Sequence, residues 1–483
     1  MRRLLMIALA GALGVAAVGV LALRSSAATG ADVAAPSFTR DVAPVIRDKC
    51  AGCHQLGGIA PFAFRTAQDV TSRATLIAAA VTANRMPPWP PGKASPAYAG
   101  QAERTLTGAE RSTLLRWLRA GARVDGNRVG KPRIATSAAR AGETTRTLTL
   151  PSPYTPSATG GGTDDYRCFL VDPRLTEDSF VTGARILPGN AAIVHHVILF
   201  RVPPATLEAA QKLDASQTGP GWSCFGGTGI PASGPDARNQ LNNAPWVAAW
   251  APGWGSGRLP SGVGVRLESG SRIVMQVHYN LLNGREPDRS RVVLQTAPAV
   301  ASTLRPLETV LLPAPVELPC LASESGALCD RTAAQFDQIS RFGQDAALIP
   351  VGLLLLCGKD QQRPPAGKST FCDREIEQPT TIHTVAGHMH LLGTSVRVTL
   401  NPGTPRQRVL LDIPRWDFHW QASYQLRQAV TASPGDVVRV SCTHDQRLRR
   451  DATTTAARKP RYILWGEGTT DEMCLGILQV TRP

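Results

Sequence analysis

The sequence has few aromatic and few charged residues. Aromatic side chains make up 5% and charged side chains 18% of the 483 residues, whereas glycine (44) and proline (38) are plentiful. After residue 23, no apolar run is long enough to cross a bilayer, because the longest, residues 346–357, is too short and contains Pro350. These features exclude a disordered chain and predict a loop-rich globular protein of two to four domains.

The first 28 residues have the composition of an export signal. Arg2 and Arg3 precede an uncharged apolar run, residues 4–23, and the small residues 25–28 follow it. The pattern predicts a secretory signal peptide over residues 1–28. Because the run is also long enough to span a bilayer, a retained membrane anchor is the alternative. We expect a periplasmic or otherwise extracytoplasmic protein, with a membrane tether as an open option.

The formal net charge of +15 comes mostly from arginine. Basic clusters lie at residues 128–146 and 446–461. An exported chain is not expected to bind nucleic acid, whatever its charge. Two interpretations stay open: a solvated arginine-rich surface, or a docking face for an acidic redox partner or lipid headgroups.

The ten cysteines divide into a close pair, Cys50 and Cys53, and eight others. Disulfides persist outside the cytoplasm, and eight is an even number. The sequence therefore predicts four disulfides among Cys168, Cys224, Cys320, Cys329, Cys357, Cys372, Cys442 and Cys474.

Three regions follow the signal, so the predicted fold is multidomain. Residues 36–124 show helical spacing of apolar side chains and predict a small all-α domain, and residues 125–146 are polar and basic, as in a linker. From residue 147, short alternating runs separated by Pro/Gly turns predict antiparallel β-sandwiches. The length suggests two of them, residues 147–305 and 306–483.

Cys50-Ala51-Gly52-Cys53-His54 matches C-x-x-C-H, the attachment motif for c-type haem. The alternative, a thioredoxin-like redox pair, expects a βαβ setting, whereas this motif follows a helix. His54 would bind the haem iron, and Met86 is the expected second axial ligand, because no other methionine lies between the motif and the linker. The region resembles a small class I cytochrome c.

Five of the remaining histidines form a pattern. His388 and His390 flank one residue, so a strand would place both imidazoles on one face, and His278 lies in an alternating run. His195 and His196 are adjacent in the strand-like run VHHVILF. A regular strand would point their rings to opposite faces, so either they bind no common metal or the strand is irregular there. Clustered imidazoles in an exported protein suit copper or zinc.

Five ordered motifs resemble those of the copper type II ascorbate-dependent monooxygenases, over most of residues 160–483. They are DDYRC at 164–168, VHHVILF at 194–200, QVHYN at 276–280, HMHLLG at 388–393 and TDEMC at 470–474. The resemblance implies two tandem jelly-roll-like sandwiches with one copper each. His195, His196 and His278 would hold an electron-transfer copper. His388, His390 and Met473 would be the catalytic ligands of the copper at which O2 and substrate react.

The resemblance also implies two disulfides, Cys168–Cys224 and Cys442–Cys474, and leaves three pairings open for the other four cysteines. His383, His419 and His444 match no ligand position, and we expect each to be a packed or surface residue. For His383, which precedes His388 by five residues, support of that ligand is the alternative.

The chain departs from the peptide-hydroxylating members of the family. Ala386, Leu475 and Ile477 stand where those enzymes grip a substrate carboxylate, which predicts a more apolar pocket. The N-terminal haem motif is a second departure, and it suggests that haem delivers electrons to the first copper.

These features together predict a copper-dependent monooxygenase that inserts one O2-derived oxygen atom into a C–H bond, or another oxidisable atom, of a small organic substrate. The expected cofactors are two copper ions and one covalently attached c-type haem. The expected upstream electron donor is a quinol-linked chain, another cytochrome or a small reductant. The alternative function is a non-catalytic haem/copper electron-transfer or copper-handling protein.

Overall fold

A computed structural model describes residues 35–56, 60–131, 139–157, 164–224, 227–231, 241–251, 257–281, 284–300, 302–418, 420–451 and 458–483. The predicted signal or anchor at residues 1–28 and the residue His419 lie outside these ranges. Within them, no helix has the length and apolar character needed to cross a membrane. The chain is mostly β, with several sheets and few helices.

The N-terminal region is helical and has its own apolar core. It contains a π-helix, Phe38–Val42, followed by α1 Ala43–Lys49, α2 Ala67–Thr71, α3 Ala74–Thr82, α4 Gln101–Arg104 and α5 Gly108–Arg119. Capping boxes at Thr66 and Thr107 begin α2 and α5, where each threonine side chain accepts a hydrogen bond from a backbone amide in the first turn. Leu114 and Trp117 of α5 pack against Phe38. The predicted helices are therefore present, and the cytochrome c-like arrangement stays a prediction.

Two five-stranded sheets follow. Their strands are β1 Thr144–Thr149, β2 Asp164–Val171, β3 Ser179–Leu187, β4 Val194–Val202, β5 Trp222–Ser223, β6 Trp246–Trp250, β7 Val263–Leu267, β8 Arg272–Asn280, β9 Arg291–Pro298 and β10 Arg305–Pro306. The sheet orders are β1-β9-β3-β7-β10 and β5-β2-β8-β4-β6. Apolar side chains of both sheets form one buried cluster, so the sheets pack as a sandwich. The helix α6 Leu207–Asp214 follows β4.

A second sandwich follows β10. Its strands are β11 Glu308–Pro313, β12 Glu317–Leu318, β13 Ser369–Glu375, β14 Thr380–His388, β15 Gly393–Leu400, β16 Arg408–Ile413, β17 Ser423–Ala432, β18 Val437–His444, β19 Ile463–Leu464 and β20 Leu475–Thr481. The four-stranded sheets, β11-β20-β14-β17 and β13-β18-β15-β16, share a core, and β12 pairs with β19. Helices α7 Arg331–Phe342 and α8 Asp345–Leu356 lie between β12 and β13.

All eight predicted disulfide cysteines are paired. Cys168–Cys224 and Cys442–Cys474 are present, as the family resemblance implied. The four cysteines whose pairing was open form Cys320–Cys329 and Cys357–Cys372. Four disulfides indicate folding in an oxidising compartment.

Glu143 connects the start of the first sandwich to its core by an ion pair with Arg258, with both nitrogen–oxygen distances at 2.9 Å. Burial alone would raise the pKa of the Glu143 carboxyl, but hydrogen bonds from Arg258 and Thr182 hold it at about 2. This value lies below the ordinary 4.5. The carboxylate therefore stabilises the folded state above pH 4.5, and the contribution disappears as the pH falls toward 2.

We predict that Glu143→Gln lowers the free energy of unfolding at pH 7 by about 2 kcal/mol. In urea unfolding followed by circular dichroism, the difference in free energy of unfolding between variant and wild type should become smaller as the pH falls to 3. Glu208→Gln, which removes an exposed pair with Lys212, should have almost no effect. A difference that is unchanged at low pH would contradict the prediction.

Candidate active site

Three imidazoles of the first sandwich converge through the ring nitrogen nearest the backbone. The Nδ1 atom of His196 lies 3.3 Å from Nδ1 of His195 and 3.4 Å from Nδ1 of His278. The pairing of β4 with β8 shifts register between Val194 and His196, so His195 sits at a bulge. The irregular strand is therefore the alternative that holds, since the bulge brings both adjacent rings to one side.

The three nitrogens fit a metal ion. Two nitrogens each about 2.0–2.1 Å from one ion at a tetrahedral angle would lie about 3.3 Å apart. The Nε2–H of His278 donates to the Asp164 carboxylate over 2.8 Å, which leaves the Nδ1 lone pair directed at the cluster. Burial, together with the neighbouring histidines, lowers the pKa of His195 and of His196 well below the ordinary value, so both are neutral, as metal binding requires.

The second cluster presents the opposite ring nitrogens. The Nδ1–H of His388 donates to Oε1 of Gln421 over 2.6 Å, and that of His390 donates to the Asp471 carbonyl over 3.1 Å. Both Nε2 lone pairs are therefore available to a metal. Burial and the nearby His390 lower the pKa of His388 to about 4, so its imidazole is neutral.

A buried carboxylate orders the chain around Met473. Glu472 accepts hydrogen bonds from the backbone amides of His390, at 3.0 Å, and Met473, at 3.2 Å. Its partner His444 contacts both the carboxylate and the Met473 carbonyl. Although burial alone would raise the pKa of Glu472, hydrogen bonding with His444 lowers it. Glu472 and His444 thus hold His390 and Met473 at fixed positions.

The two clusters face each other across the contact between the sandwiches. The Phe418 ring stacks on His195 with centroids 4.7 Å apart and lies 6.1 Å from the His390 ring. Near them, the Thr469 hydroxyl donates to Asp164 over 2.7 Å. The Tyr166 ring, which stacks on His278, also donates its hydroxyl proton to the Glu467 carbonyl, so it too joins the sandwiches.

A cavity of about 600 Å³ lies against both clusters. Its wall includes His196 of the first cluster and His388, His390 and Met473 of the second. Most of the other lining side chains are apolar, including Ile198, Trp246, Trp250, Leu311, Ala386, Leu475 and Ile477. The three residues predicted to replace a carboxylate-binding group therefore line this cavity.

The C-x-x-C-H motif lies at the end of α1. Cys50 and Cys53 are the cysteines without a disulfide partner. The Nδ1–H of His54 donates to the Phe62 carbonyl over 3.2 Å, which turns Nε2 away from the backbone, and its ring packs against Phe62 and Phe64. This fits an iron ligand. Met86 is 42% exposed, so its role as axial ligand stays a prediction.

Several residues that shape the site carry no ligand pattern in the sequence. Gln421 and Phe418 come from a segment that no motif marks, and only the fold brings them to the histidines. Glu472 could have been found as the acidic neighbour of Met473.

His444 is buried, as expected of a packed histidine, but it also contacts the Met473 carbonyl. His383 contacts the Thr481 hydroxyl, away from both clusters.

A known domain family covers the second cluster. Residues 360–479 match the family described as "Copper type II ascorbate-dependent monooxygenase, C-terminal domain". This segment contains His388, His390 and Met473. The second cluster therefore lies in a segment that is similar to the copper-binding monooxygenases of this family.

One relative has a name that agrees with this class. Dopamine beta-hydroxylase from Rattus norvegicus is 25% identical over 354 residues, which are 71% of this chain and 47% of that protein. The chain thus spans about half the length of that curated relative. An allantoicase structure is 11% identical, with a TM-score of 0.15 over 62% of this chain and 86% of that one. This score is too low to support any conclusion.

We predict that Asp164→Asn weakens copper binding at the first cluster by about 10–100-fold, because His278 loses its charged hydrogen-bond acceptor. Copper titration monitored by electron paramagnetic resonance would measure the affinity of each cluster. Asp172→Asn, which removes a half-exposed partner of Arg272 in the same sandwich, is the matched control. Equal affinities in both variants would contradict the role of Asp164.

Proposed function

We propose that the protein is a copper-dependent monooxygenase with one copper at each histidine cluster. The observation that carries the proposal is that two clusters of different donor type face one apolar cavity. His195, His196 and His278 offer three imidazoles, whereas His388 and His390 are joined by the thioether of Met473. The softer thioether favours Cu(I), the state that reacts with O2, so the second cluster is the proposed catalytic site.

The overall reaction converts R–H, O2, two electrons and two protons to R–OH and water. Bound copper would supply the electrons one at a time and the position at which O2 is reduced. The residues of this chain position the ions and exclude water. Gln421 and the Asp471 carbonyl hold the imidazoles of the second cluster, and the apolar wall keeps the substrate in a dry cavity.

The lining of the cavity favours an apolar small substrate. Ala386, Leu475 and Ile477 offer no group for a carboxylate, and Trp246 and Trp250 add wide apolar surfaces. We therefore propose hydroxylation of an uncharged or largely apolar organic molecule, with O2 as the second substrate.

We further propose that residues 36–124 form a cytochrome c-like domain carrying one haem. A redox-active cysteine pair of the thioredoxin kind has lowered thiol pKa values. Here burial raises the pKa of Cys50 to about 12 and also raises that of Cys53. This direction is opposite to that of a disulfide catalyst, so it disfavours the thioredoxin-like alternative. The haem assignment is supported by His54, whose Nδ1–H donates to the Phe62 carbonyl and leaves Nε2 for an iron ion. In the proposed division, residues 125–146 link this domain to sandwiches at 147–305 and 306–483, with the correction that the first strand of the first sandwich, β1, already begins at Thr144.

We propose that the chain is exported to the periplasm or another extracytoplasmic compartment. Its four disulfides support this location. The electrons would come from an external donor, either another redox protein or a small reductant.

The alternative function, a haem/copper electron-transfer or copper-handling protein, would not need a substrate cavity. The cavity beside Met473 therefore favours the oxygenase. Labelling with ¹⁸O2 separates the two functions, because only the oxygenase transfers one labelled atom to an organic product.

We predict that Met473→Ile abolishes product formation while the haem spectrum is unchanged, because isoleucine keeps the volume but removes the sulfur ligand. Product formation would be measured with ¹⁸O2 in a screen of apolar compounds. Metal analysis should give about two coppers per chain in the wild type. Met275→Ile, in the core of the first sandwich, is the control and should remain active. Full turnover by Met473→Ile would refute the assignment of the second cluster.

We predict that Cys50→Ser with Cys53→Ser eliminates covalently bound haem and leaves the copper content unchanged. Haem that remains on the chain after denaturing electrophoresis gives the readout. Cys320→Ser with Cys329→Ser removes a disulfide remote from the motif and should retain the haem. A wild-type protein without covalent haem, when produced with haem-attachment machinery, would refute the haem assignment and leave the copper assignment standing.

A further inference from the structure

The segment that follows the helix α3, residues 92–99, forms backbone hydrogen bonds with the second sandwich. The Gly92 amide donates to the Asp412 carbonyl over 2.7 Å, and the Ala99 amide donates to the Gln425 carbonyl over 2.9 Å. The Tyr98 ring is 1% exposed, and its hydroxyl donates to the Leu410 carbonyl over 2.7 Å. The region carrying the C-x-x-C-H motif is thereby held against β16 and β17, next to the strand system that carries the second histidine cluster.

Three aromatic rings lie at this contact. Centroid distances are 5.6 Å between Trp89 and Tyr424, 6.2 Å between Trp89 and Tyr98, and 5.1 Å between Tyr98 and Tyr424. The Arg104 guanidinium lies 5.3 Å from the Trp89 centroid. Its charge also acts on Cys53, where it partly offsets the rise in pKa caused by burial. Lys49, which precedes Cys50, donates through Nζ to the Ala102 carbonyl of α4 over 2.5 Å, and α4 also carries Arg104. The helix α4 therefore connects the end of α1, where the motif lies, to the aromatic cluster.

From Tyr424 the path to the second cluster is short. Tyr424 pairs with Val385 in the β17–β14 ladder, and β14 ends at His388. Gln421 lies just before β17, three residues before Tyr424, and its Oε1 accepts the 2.6 Å hydrogen bond from His388. Covalent bonds and hydrogen bonds thus connect the aromatic cluster to His388 by two routes.

We propose that Trp89, Tyr98 and Tyr424 carry electrons from the C-x-x-C-H region directly to the His388–His390–Met473 centre. This rests on the proposed function, in which the motif holds haem and the cluster holds copper. With both groups bound, one electron would pass from a ferrous haem iron, which would become ferric, to a cupric ion, which would become cuprous. The rings would mediate tunnelling without being oxidised themselves, so no bond or proton moves. In this proposal the second copper receives the electron from haem, whereas the sequence predicted that haem reduces the first copper.

The experiment compares two variants in which one copper centre is removed. Full-length protein with ferrous haem and no copper is mixed anaerobically with one equivalent of Cu(II), and haem oxidation is followed by stopped-flow absorbance. In His195→Ala with His196→Ala, the rapid oxidation phase should persist. In His388→Ala with His390→Ala, it should be lost. Copper bound to each variant is measured in the same samples.

The aromatic cluster is tested at Trp89, which is only partly buried. Trp89→Leu should slow the rapid phase by about tenfold, whereas Trp89→Phe should largely restore it, because the phenyl ring keeps an aromatic bridge. Phe371→Leu, at an exposed ring on β13 of the same sandwich, should leave the rate unchanged. Circular dichroism and haem content should match the wild type in all three.

The possible outcomes separate this proposal from the function on which it rests. Loss of the rapid phase in the first-cluster variant, with copper still bound at the second cluster, would overturn direct entry and leave the haem–copper oxygenase intact. An unchanged rate in Trp89→Leu would overturn the aromatic route. A wild type whose ferrous haem is not oxidised by bound copper would overturn electron delivery by haem itself.

Discussion

The contact between the two β-sandwiches is the constraint on which the site depends. Thr469 binds the carboxylate that holds His278, and Tyr166 reaches from that histidine to the Glu467 carbonyl. Because the same contact also forms the cavity wall, a change in the packing of the sandwiches would alter both clusters and the cavity together. The Phe418 ring lies near one imidazole of each cluster, His195 and His390.

Within each sandwich, buried polar groups determine which ring nitrogen faces the metal position. Asp164 accepts a hydrogen bond from Nε2 of His278. Gln421 and the Asp471 carbonyl instead accept hydrogen bonds from Nδ1 of His388 and of His390. The two clusters therefore present different donor atoms although both are rich in histidine. This difference, together with the Met473 sulfur, gives the clusters separate chemical roles in the proposed reaction.

The N-terminal region is attached to the second sandwich. Its helices form their own core, yet residues 92–99 bond to the edge of the second sandwich and Tyr98 is buried in that core. A region held in this way keeps a fixed position relative to one sandwich, which is the geometry that the proposed electron path requires. In the proposed function, fusion in one chain would remove the diffusional encounter between the haem domain and the copper centres, while the external donor would still meet the haem domain by diffusion.

The sequence alone determined the features that depend on spacing. The helices around Phe38 and Trp117, the alternating strands, the C-x-x-C-H motif and the H-x-H pair all follow from local periodicity. Family resemblance added the ligand sets and two disulfides. Tertiary structure decided the rest: the bulge that turns His195 and His196 together, the last two disulfides, and the roles of Gln421, Glu472 and His444. These depend on strand register and on packing between distant segments, which local periodicity does not encode.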